Sequence, residues 1–494
     1  MTGNGRGKAL GALALLFVGL GAASCETKEP IEPPPEEEVV PRVDVLRQEA
    51  RLLGVDAQQR FLVFTAQTVF GTFAKTLPGG EETRLSDPAE GAFLAEDGSA
   101  VLLWSPQDVA KTRVLWLWRP GSDAGIPITT RAQGDIVRDR SLSYVAYAEY
   151  DAGAATSAVR VMDAATCTPE ACASRTLLQV PGATLGLQAG GAHVLATDAT
   201  QAWLIDVPSG AVTALGPVAG PPAFSPDGAR YVLFSAGGKL QVFDSATRTL
   251  QWERPWADEA SRKDWVVLSG LLTDAGSLVF NIREPPPPPP RFPTDRDTVT
   301  CDATGCRILP GGEGNCWYSP GRTDLLRCLQ DRGCSPSYCR YRYTGTYFDA
   351  RMQLLANVTS GASTRSVHVD PIFNEDLSQQ VQMEFGEMSA ETLEWLGPGA
   401  VRGVEPPGRL QTGLFTFLPG SQRVVFAQQL TRSDGEAEFR LAAWDGAQLT
   451  DLLALPGKPG YDVFYSLTVR DSPLSLYVNV AAESPYSNIL RIRL

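Results

Sequence analysis

Apart from Cys25, the chain has eight cysteines whose spacing could support cross-linking chemistry. Three pairs enclose four residues each, in the segments CTPEAC, CDATGC and CSPSYC. Cysteines on facing positions of a hairpin come within the short Cα separation that a disulfide requires. We therefore predict three hairpin disulfides, and by elimination a fourth between the two remaining cysteines. The predicted pairs are Cys167–Cys172, Cys301–Cys306, Cys334–Cys339 and Cys316–Cys328.

The six cysteines between residues 301 and 339 also suggest a different chemistry, a zinc site with thiolate ligands. Zinc sites use paired ligands separated by a few residues, so the spacing alone is compatible with metal binding. The same spacing recurs far away at Cys167 and Cys172, where no further cysteines are near in sequence. This repetition favours disulfides, and we predict no metal and no cofactor.

Catalytic motifs are missing from the sequence. The only histidines, His193 and His368, lie beside valines in strand-like segments, which predicts structural roles for both. The chain contains no G-x-S-x-G, H-E-x-x-H or G-x-x-x-x-G-K-[ST] motif. Carboxylates are numerous, however, and a pair of them is sufficient for general acid and base catalysis. A carboxylate-based lyase or hydrolase therefore remains the alternative to a non-enzymatic function.

Two segments carry residue types suited to partner binding. A run of six prolines, Pro285–Pro290, predicts a stiff polyproline II arm. The segment SYCRYRYTGTYF interleaves arginines with tyrosines, which together are enriched at the energetic centres of protein interfaces. A strand with one buried tyrosine face is the alternative for this segment. The predicted partner-binding residues are Pro285, Pro290, Tyr338, Arg340, Tyr341, Arg342, Tyr343 and Tyr347.

Short strands joined by tight turns are the elements that would position these residues. In AFSPDGARYVLFSAGGKLQVFDSATRTL, residues 223–250, the turn Ser225–Gly228 reverses the chain, because proline presets φ and glycine accepts positive φ. Two further turns in this segment predict a four-stranded antiparallel meander. A meander of this length cannot bury its apolar faces alone, so it requires stacked copies of itself.

Comparable turns recur along the chain. Their spacing is close to the ~40–50 residues of a four-stranded propeller blade. The turns lie near Asp56, Asp97, Asp139, Gly190, Asp227, Asp274, Pro320, Asp376, Pro419 and Asp471. The Phe224–Gly228 turn, followed by an aromatic residue, resembles the repeat of TolB-type β-propellers; WD40 repeats are similar but carry a GH and WD signature that this chain lacks.

This resemblance implies an all-β fold, a single β-propeller of four-stranded antiparallel blades over residues 43–494. We predict about eight blades, within a range of seven to ten. The final segment NILRIRL ends a repeat one strand short, and Val43–Leu46 would supply the missing strand. The two ends of the domain should therefore pair within one blade. Propellers host many activities, so the resemblance specifies the fold rather than the function.

The N-terminus predicts export and lipidation. Arg6 and Lys8 precede an apolar stretch that is too short to span a bilayer comfortably, and Ala22-Ala23-Ser24 precede Cys25, which resembles a bacterial lipobox. Residues 1–24 would be the signal peptide and Cys25 the lipidated residue, anchored in the membrane through its acyl chains. An ordinary signal peptide with an incidental Cys25 is the alternative. Residues 25–42, rich in proline and glutamate, would form an extended tether.

Net charge excludes one class of partner. The formal charge is −13, and no segment forms the basic stripe that nucleic acids require. We predict a lipoprotein of the bacterial cell envelope, on the outer membrane and facing the periplasm or the cell surface. Its propeller would bind or scaffold other envelope proteins. The alternatives are the carboxylate enzyme, with its site at the central channel, and a structural subunit of a larger envelope complex.

Overall fold

Antiparallel strands make up nearly all of the described chain. The computed structural model describes residues 42–494 with gaps. The gaps are residues 67, 169, 183–184, 199, 236–237, 257–264, 285–295, 310–313, 320–321, 332–342, 360–365, 387–391, 398–399, 405–406, 458–462 and 482–486. The described part contains one 3₁₀ helix, Ala164–Thr166, and no α-helix. Within the same part, no helix is long and apolar enough to cross a membrane.

Each group of four consecutive strands pairs as an antiparallel meander, and the meanders are numbered in chain order. Meander 1 contains β2 (Ala50–Val55), β3 (Phe61–Ala66), β4 (Gly71–Thr76) and β5 (Glu82–Ser86). Meander 2 contains β6 (Gly91–Leu94), β7 (Val101–Trp104), β8 (Thr112–Trp118) and the first half of β9 (Ile126–Arg138). Meander 3 contains the second half of β9, β10 (Tyr144–Asp151), β11 (Thr156–Asp163) and β12 (Ser174–Pro181).

The next four meanders repeat this order. Meander 4 contains β13 (Gly186–Gly190), β14 (His193–Thr197), β15 (Gln201–Asp206) and β16 (Val212–Pro217). Meander 5 contains β17 (Gly220–Phe224), β18 (Arg230–Ser235), β19 (Lys239–Asp244) and β20 (Leu250–Pro255). Meander 6 contains β21 (Val266–Leu272), β22 (Leu278–Arg283), β23 (Arg296–Asp302) and β24 (Gly305–Ile308). Meander 7 contains β25 (Gly314–Tyr318), β26 (Leu325–Asp331), β27 (Tyr343–Asp349) and β28 (Leu354–Thr359).

The last three meanders end with a sheet that includes the first strand of the described chain. Meander 8 contains β29 (Ser366–Phe373), β30 (Gln380–Gly386), β31 (Thr392–Gly397) and β32 (Ala400–Val404). Meander 9 contains β33 (Arg409–Phe417), β34 (Val424–Thr431), β35 (Ala437–Trp444) and β36 (Leu449–Gly457). Meander 10 contains β37 (Phe464–Asp471), β38 (Leu474–Ala481), β39 (Ser487–Arg493) and β1 (Arg42–Arg47).

All ten turns that the sequence analysis identified fall between the first and second strands of a meander. The Ser225–Gly228 turn shows why its residues are needed. Gly228 has φ of +70°, and a Cβ there would lie 2.4 Å from the backbone of Gly190 in the preceding meander. Any other residue would therefore be strained and would also collide with the neighbouring sheet.

Burial and the contacts between strands together indicate the order of the strands from the centre of the propeller outwards. Second strands such as β3, β18 and β22 are almost completely buried, whereas fourth strands such as β16 and β20 are largely exposed. First strands of successive meanders contact one another, as β2 does β6 and β17 does β21. The first strands therefore face the centre and the fourth strands form the outer edge. This arrangement is a β-propeller, which confirms the predicted all-β fold class.

The two ends of the described chain close one sheet, as predicted. Strand β1 pairs antiparallel with β39, with Val43 opposite Ile492 and Val45 opposite Leu490. The carboxylate of Asp44 accepts hydrogen bonds from Arg491, at 2.7 Å from Nη2, and lies 2.8 Å from Nη2 of Arg493. The N-terminal strand is therefore held to the C-terminal strand by backbone pairing and by a cluster of charges.

Candidate functional site

Two faces of the propeller follow from the strand directions. We call the side formed by the first-to-second-strand turns the turn face. The side formed by the second-to-third-strand connections is the loop face. Since successive strands run in opposite directions, these connections lie at opposite ends of the sheets. The two faces can therefore carry separate binding functions.

Both unusual segments of the sequence fall between a second and a third strand, the kind of connection that defines the loop face. The polyproline run, with Pro285 and Pro290, lies between β22 and β23, the second and third strands of meander 6. The tyrosine and arginine segment lies between β26 and β27, which are the second and third strands of meander 7. Consecutive meanders thus carry the two insertions in the same kind of connection. Pro285, Pro290, Tyr338, Arg340, Tyr341 and Arg342 themselves lie outside the described residues.

The remaining two tyrosines of the predicted interface lie in strand β27. Tyr343 is its first residue. Tyr347 is only 1% exposed, and its ring lies 5.6 Å from that of Phe373 in meander 8, measured between ring centroids. Its side chain is thus part of the core between these meanders and is not presented on the surface. For Tyr347 the structure supports the alternative of a buried tyrosine face.

Three of the four predicted disulfides are present. They join Cys167 to Cys172, Cys301 to Cys306 and Cys316 to Cys328. The last two connect facing positions of β23–β24 and β25–β26. Four of the six cysteines proposed for a zinc site are therefore oxidised and are not available as thiolate ligands. Cys334, Cys339 and Cys25 lie outside the described residues.

His193 has the structural role that the sequence predicted. It starts β14 and lies opposite Asp206 of β15, with 3.5 Å between Nε2 and the carboxylate. Burial lowers the pKa of His193, and this effect outweighs the attraction of Asp206. The imidazole is therefore neutral near pH 7 and belongs to the sheet rather than to a reactive centre. His368 lies within β29.

A cavity of about 870 Å³ opens on the turn face. We call it the turn-face cavity. Residues of six consecutive meanders line it, from Glu96 in meander 2 to Thr323 in meander 7. Its charged lining consists of the carboxylates Glu96, Asp139, Asp163, Asp227 and Asp274 and the guanidinium groups of Arg138 and Arg140. The cavity is therefore shared by turns of six neighbouring meanders.

Two of these carboxylates interact directly. The backbone N–H of Asp227 donates to Oδ1 of Asp274 at 2.8 Å, which joins meander 5 to meander 6. Burial, together with the nearby charge of Asp227, raises the pKa of Asp274. Burial also opposes ionisation of Asp227, but hydrogen bonds from Ser225 and from the N–H of Ala229 hold its pKa below the usual value. The pair therefore consists of an ionised Asp227 and a more readily protonated Asp274.

Arg138 stands apart from the other charged groups of the cavity. Its guanidinium lies over the ring of Phe93, 3.1 Å from the centroid, and both residues come from first strands. Burial lowers the pKa of Arg138 to about 10. No residue in the described part of the chain forms a hydrogen bond or ion pair with this guanidinium. By contrast, Arg140 pairs with Glu96 at 3.7 Å.

Sequence reasoning did not identify this cavity. Asp227 and Asp274 were recognised as turn residues, but nothing in a single sequence shows that two turns 47 residues apart share a hydrogen bond. Arg138 lies next to the predicted turn at Asp139 and had no distinguishing motif. The available signal was the repeat itself, because equivalent turns of a propeller meet on one face.

A second cavity, of about 750 Å³, also lies on the turn face. Residues of meanders 7, 8 and 9 line it, including Arg322, Phe373 and Phe415. Arg322 donates to the carbonyl oxygens of Asn374 and Glu375, so its guanidinium is occupied in joining meander 7 to meander 8. Unlike the Arg138 guanidinium of the turn-face cavity, the Arg322 guanidinium is therefore already hydrogen-bonded within the described part of the chain.

Comparison with known proteins finds only distant structural similarity. A comparison with protein families finds no match, and a comparison with curated proteins finds none either. Among solved structures, a eukaryotic initiation factor is 12% identical, covers 74% of this chain and 90% of its own, and gives a TM-score of 0.44. The β-propeller domain of the Trilobed protease from Pyrococcus furiosus is 12% identical, covering 74% and 97%, with a TM-score of 0.30.

The C-terminal WD40 domain of Sif2 is 9% identical, covers 92% of this chain and 99% of its own, and gives a TM-score of 0.34. These identities and TM-scores are low. The propeller assignment therefore depends on the strand topology described above.

Proposed function

We propose that this protein is a membrane-anchored envelope lipoprotein whose propeller binds or scaffolds other proteins through its loop face. The observation that carries the proposal is the position of the two insertions, between second and third strands of consecutive meanders. Connections of this kind lie on the surface and tolerate insertions, and tyrosine, arginine and polyproline suit protein recognition. The lipid anchor on Cys25, the envelope location and the TolB-type resemblance are predictions from the sequence.

Exposed apolar residues of the loop face, and disulfides elsewhere in meanders 6 and 7, support this proposal. Phe70, in the connection between β3 and β4, is 77% exposed. Val109, in the connection between β7 and β8, is fully exposed. The disulfides Cys301–Cys306 and Cys316–Cys328 stiffen hairpins in the two meanders that carry the insertions. A preorganised support reduces the conformational entropy that loops lose on binding.

Crosslinking in intact envelopes, followed by affinity purification and mass spectrometry, tests the proposal. One variant replaces Tyr341, Arg342 and Tyr343 with alanine, and another deletes Pro285–Pro290. A control replaces Arg432, Ser433 and Asp434 with alanine, in the equivalent connection of meander 9. We expect both loop variants to lose specific partners at an unchanged melting temperature, while the control keeps them. Unchanged capture with a lowered melting temperature would show that the insertions only stabilise their meanders.

The carboxylate enzyme remains a second candidate because of the pair in the turn-face cavity. Asp274, with its raised pKa, could donate a proton, and the ionised Asp227 could accept one. Candidate substrates are glycans, screened with purified protein and with an Asp274→Asn variant. Turnover that disappears in the variant would support an enzyme. Equal product formation by both proteins would exclude this pair as the catalytic centre.

A further inference from the structure

The turn-face cavity has the size and lining of a small-molecule site. Its volume of about 870 Å³ is within the range of ligand pockets. It is lined by side chains of both charges, held on turns of several rigid sheets. This cavity lies on the turn face, so its ligand would be distinct from a protein partner bound at the loop face.

Arg138 supplies one end of the site. A guanidinium presents a planar set of donors that fits a carboxylate through two parallel hydrogen bonds. In this structure the group stacks on Phe93, and among the described residues it has no carboxylate or carbonyl acceptor. Stacking fixes the plane of the guanidinium while leaving its donors available. The partial burial that lowers its pKa also strengthens any hydrogen bond that it donates.

The carboxylate pair supplies the other end. Asp227 and Asp274 bring two acidic groups together, and the charge on Asp227 disfavours ionisation of Asp274. A ligand cation beside them would relieve this repulsion. The lining as a whole has five carboxylates and two guanidinium groups, so a purely anionic ligand would be repelled. A ligand that carries both an ammonium and a carboxylate group matches both ends.

We propose that the turn-face cavity binds a small amino-carboxylate ligand, with its carboxylate on Arg138 and its ammonium group on the Asp227–Asp274 pair. Amino acids and short peptides with free ends belong to this class. Phe93 supports the Arg138 guanidinium from behind, and residues of meanders 2–7 line the cavity. The ligand would bridge meander 3, which holds Arg138, and meanders 5 and 6, which hold the carboxylates.

Isothermal titration calorimetry on the full chain tests this proposal with three probes. The probes are the dipeptide Ala-Ala, its N-acetyl derivative, which lacks the ammonium group, and its C-terminal amide, which lacks the carboxylate. We expect Ala-Ala to bind, and each modified probe to bind at least about tenfold more weakly, which corresponds to a loss of about 1.4 kcal/mol. Failure of Ala-Ala to bind at about 10 mM, or equal binding of all three probes, would overturn the proposal.

Variants locate the two ends of the ligand. Arg138→Met should weaken Ala-Ala by at least about tenfold and leave the amide unchanged, since the amide has no carboxylate to lose. Asp274→Asn should weaken Ala-Ala and leave the N-acetyl probe unchanged. Arg432→Met, outside the cavity, is the control and should bind as the parent does. Melting curves of each variant confirm folding, and Arg138→Lys retains the charge if the methionine variant unfolds. Equal losses for all probes in either variant would contradict the assigned contacts.

Discussion

At the scale of single residues, Asp44 connects the two ends of the described chain. Its carboxylate accepts hydrogen bonds from Arg491 and lies within ion-pair distance of Arg493. Partial burial works against ionisation of Asp44, but the two arginines together hold its pKa below the usual value. A depressed carboxylate pKa contributes stability above the unfolded-state pKa, and this contribution disappears as the pH falls through the folded-state pKa.

We predict that Asp44→Asn lowers the stability of the folded protein near pH 7. The loss should be about 1 kcal/mol, because the group is charged but remains partly exposed to solvent. Thermal unfolding of parent and variant should differ at pH 7 and converge as the pH falls below about 4, the usual pKa range of aspartate. A difference that persists unchanged at low pH would show that ionisation of Asp44 is not the cause.

The carboxylate pair of the turn-face cavity gives a prediction with opposite signs at its two members. Asp274 has a raised pKa, so its ionisation at neutral pH opposes folding; this cost is absent at low pH and appears as the pH rises. Asp227 has a lowered pKa and stabilises the fold at neutral pH. Asp274→Asn should therefore raise the melting temperature at pH 7, and Asp227→Asn should lower it. Shifts of the same sign in both variants would contradict this assignment.

At the scale of elements, arginines join successive meanders along their outer side. In four places an arginine donates to a backbone carbonyl that follows the third strand of the next meander. The pairs are Arg119 with Ala164, Arg175 with Val207, Arg254 with Ala303 and Arg307 with Met352. The sequence offered no signal that distinguished these arginines. The repeated contact indicates that they help to hold neighbouring blades together.

Arg175→Met should destabilise the propeller by roughly 1–3 kcal/mol, because it removes a charged donor from a carbonyl at a buried residue. Val207 is only 5% exposed, so water has little access to replace the lost bond. Chemical denaturation measures the effect, with Arg432→Met as an exposed control that should change stability very little. A loss equal to that of the control would show that the carbonyl is satisfied by solvent.

Strand order was more predictable than strand length. Turns such as Pro226-Asp227-Gly228 identified the first-to-second-strand connection of every meander, because proline and glycine fix the backbone locally. Strand β9 was not predictable, since its 13 residues continue from meander 2 into meander 3. Gly134, with φ of +62°, bends the chain between the two halves without a loop. A residue in the middle of a strand carries no turn signal in its sequence, and pairing with both β8 and β10 is a tertiary property.

Contacts between neighbouring meanders could not be predicted from the sequence either. The cysteine spacing predicted two of the three disulfides that the structure shows, and Cys316–Cys328 was predicted by elimination. The Arg138–Phe93 contact joins residues 45 positions apart in different meanders, and it depends on how neighbouring first strands pack. Tyr347 illustrates the same limit, since its burial against Phe373 depends on the next meander. Pairings within a hairpin could be predicted from the sequence, whereas contacts between meanders could not.

At the scale of the whole molecule, the two ends of the described chain meet in one sheet. The described residues form ten meanders, and we predict that all ten join in a single ring, at the upper limit of the range expected from the sequence. In this ring, β1 completes the sheet of the last three strands.

Disulfide trapping tests whether the two ends close the ring. Arg42 and Arg493 are paired in register, and both side chains are exposed, so cysteines at these positions should not disturb the core. We expect Arg42→Cys with Arg493→Cys to form an intramolecular disulfide under mild oxidation, and the oxidised variant to melt at a higher temperature than the same variant after reduction. Arg42→Cys with Asn488→Cys, out of register, is the control and should remain reduced. Failure of the in-register pair to form a disulfide, or equal trapping of the control pair, would contradict closure of the ring by its two ends.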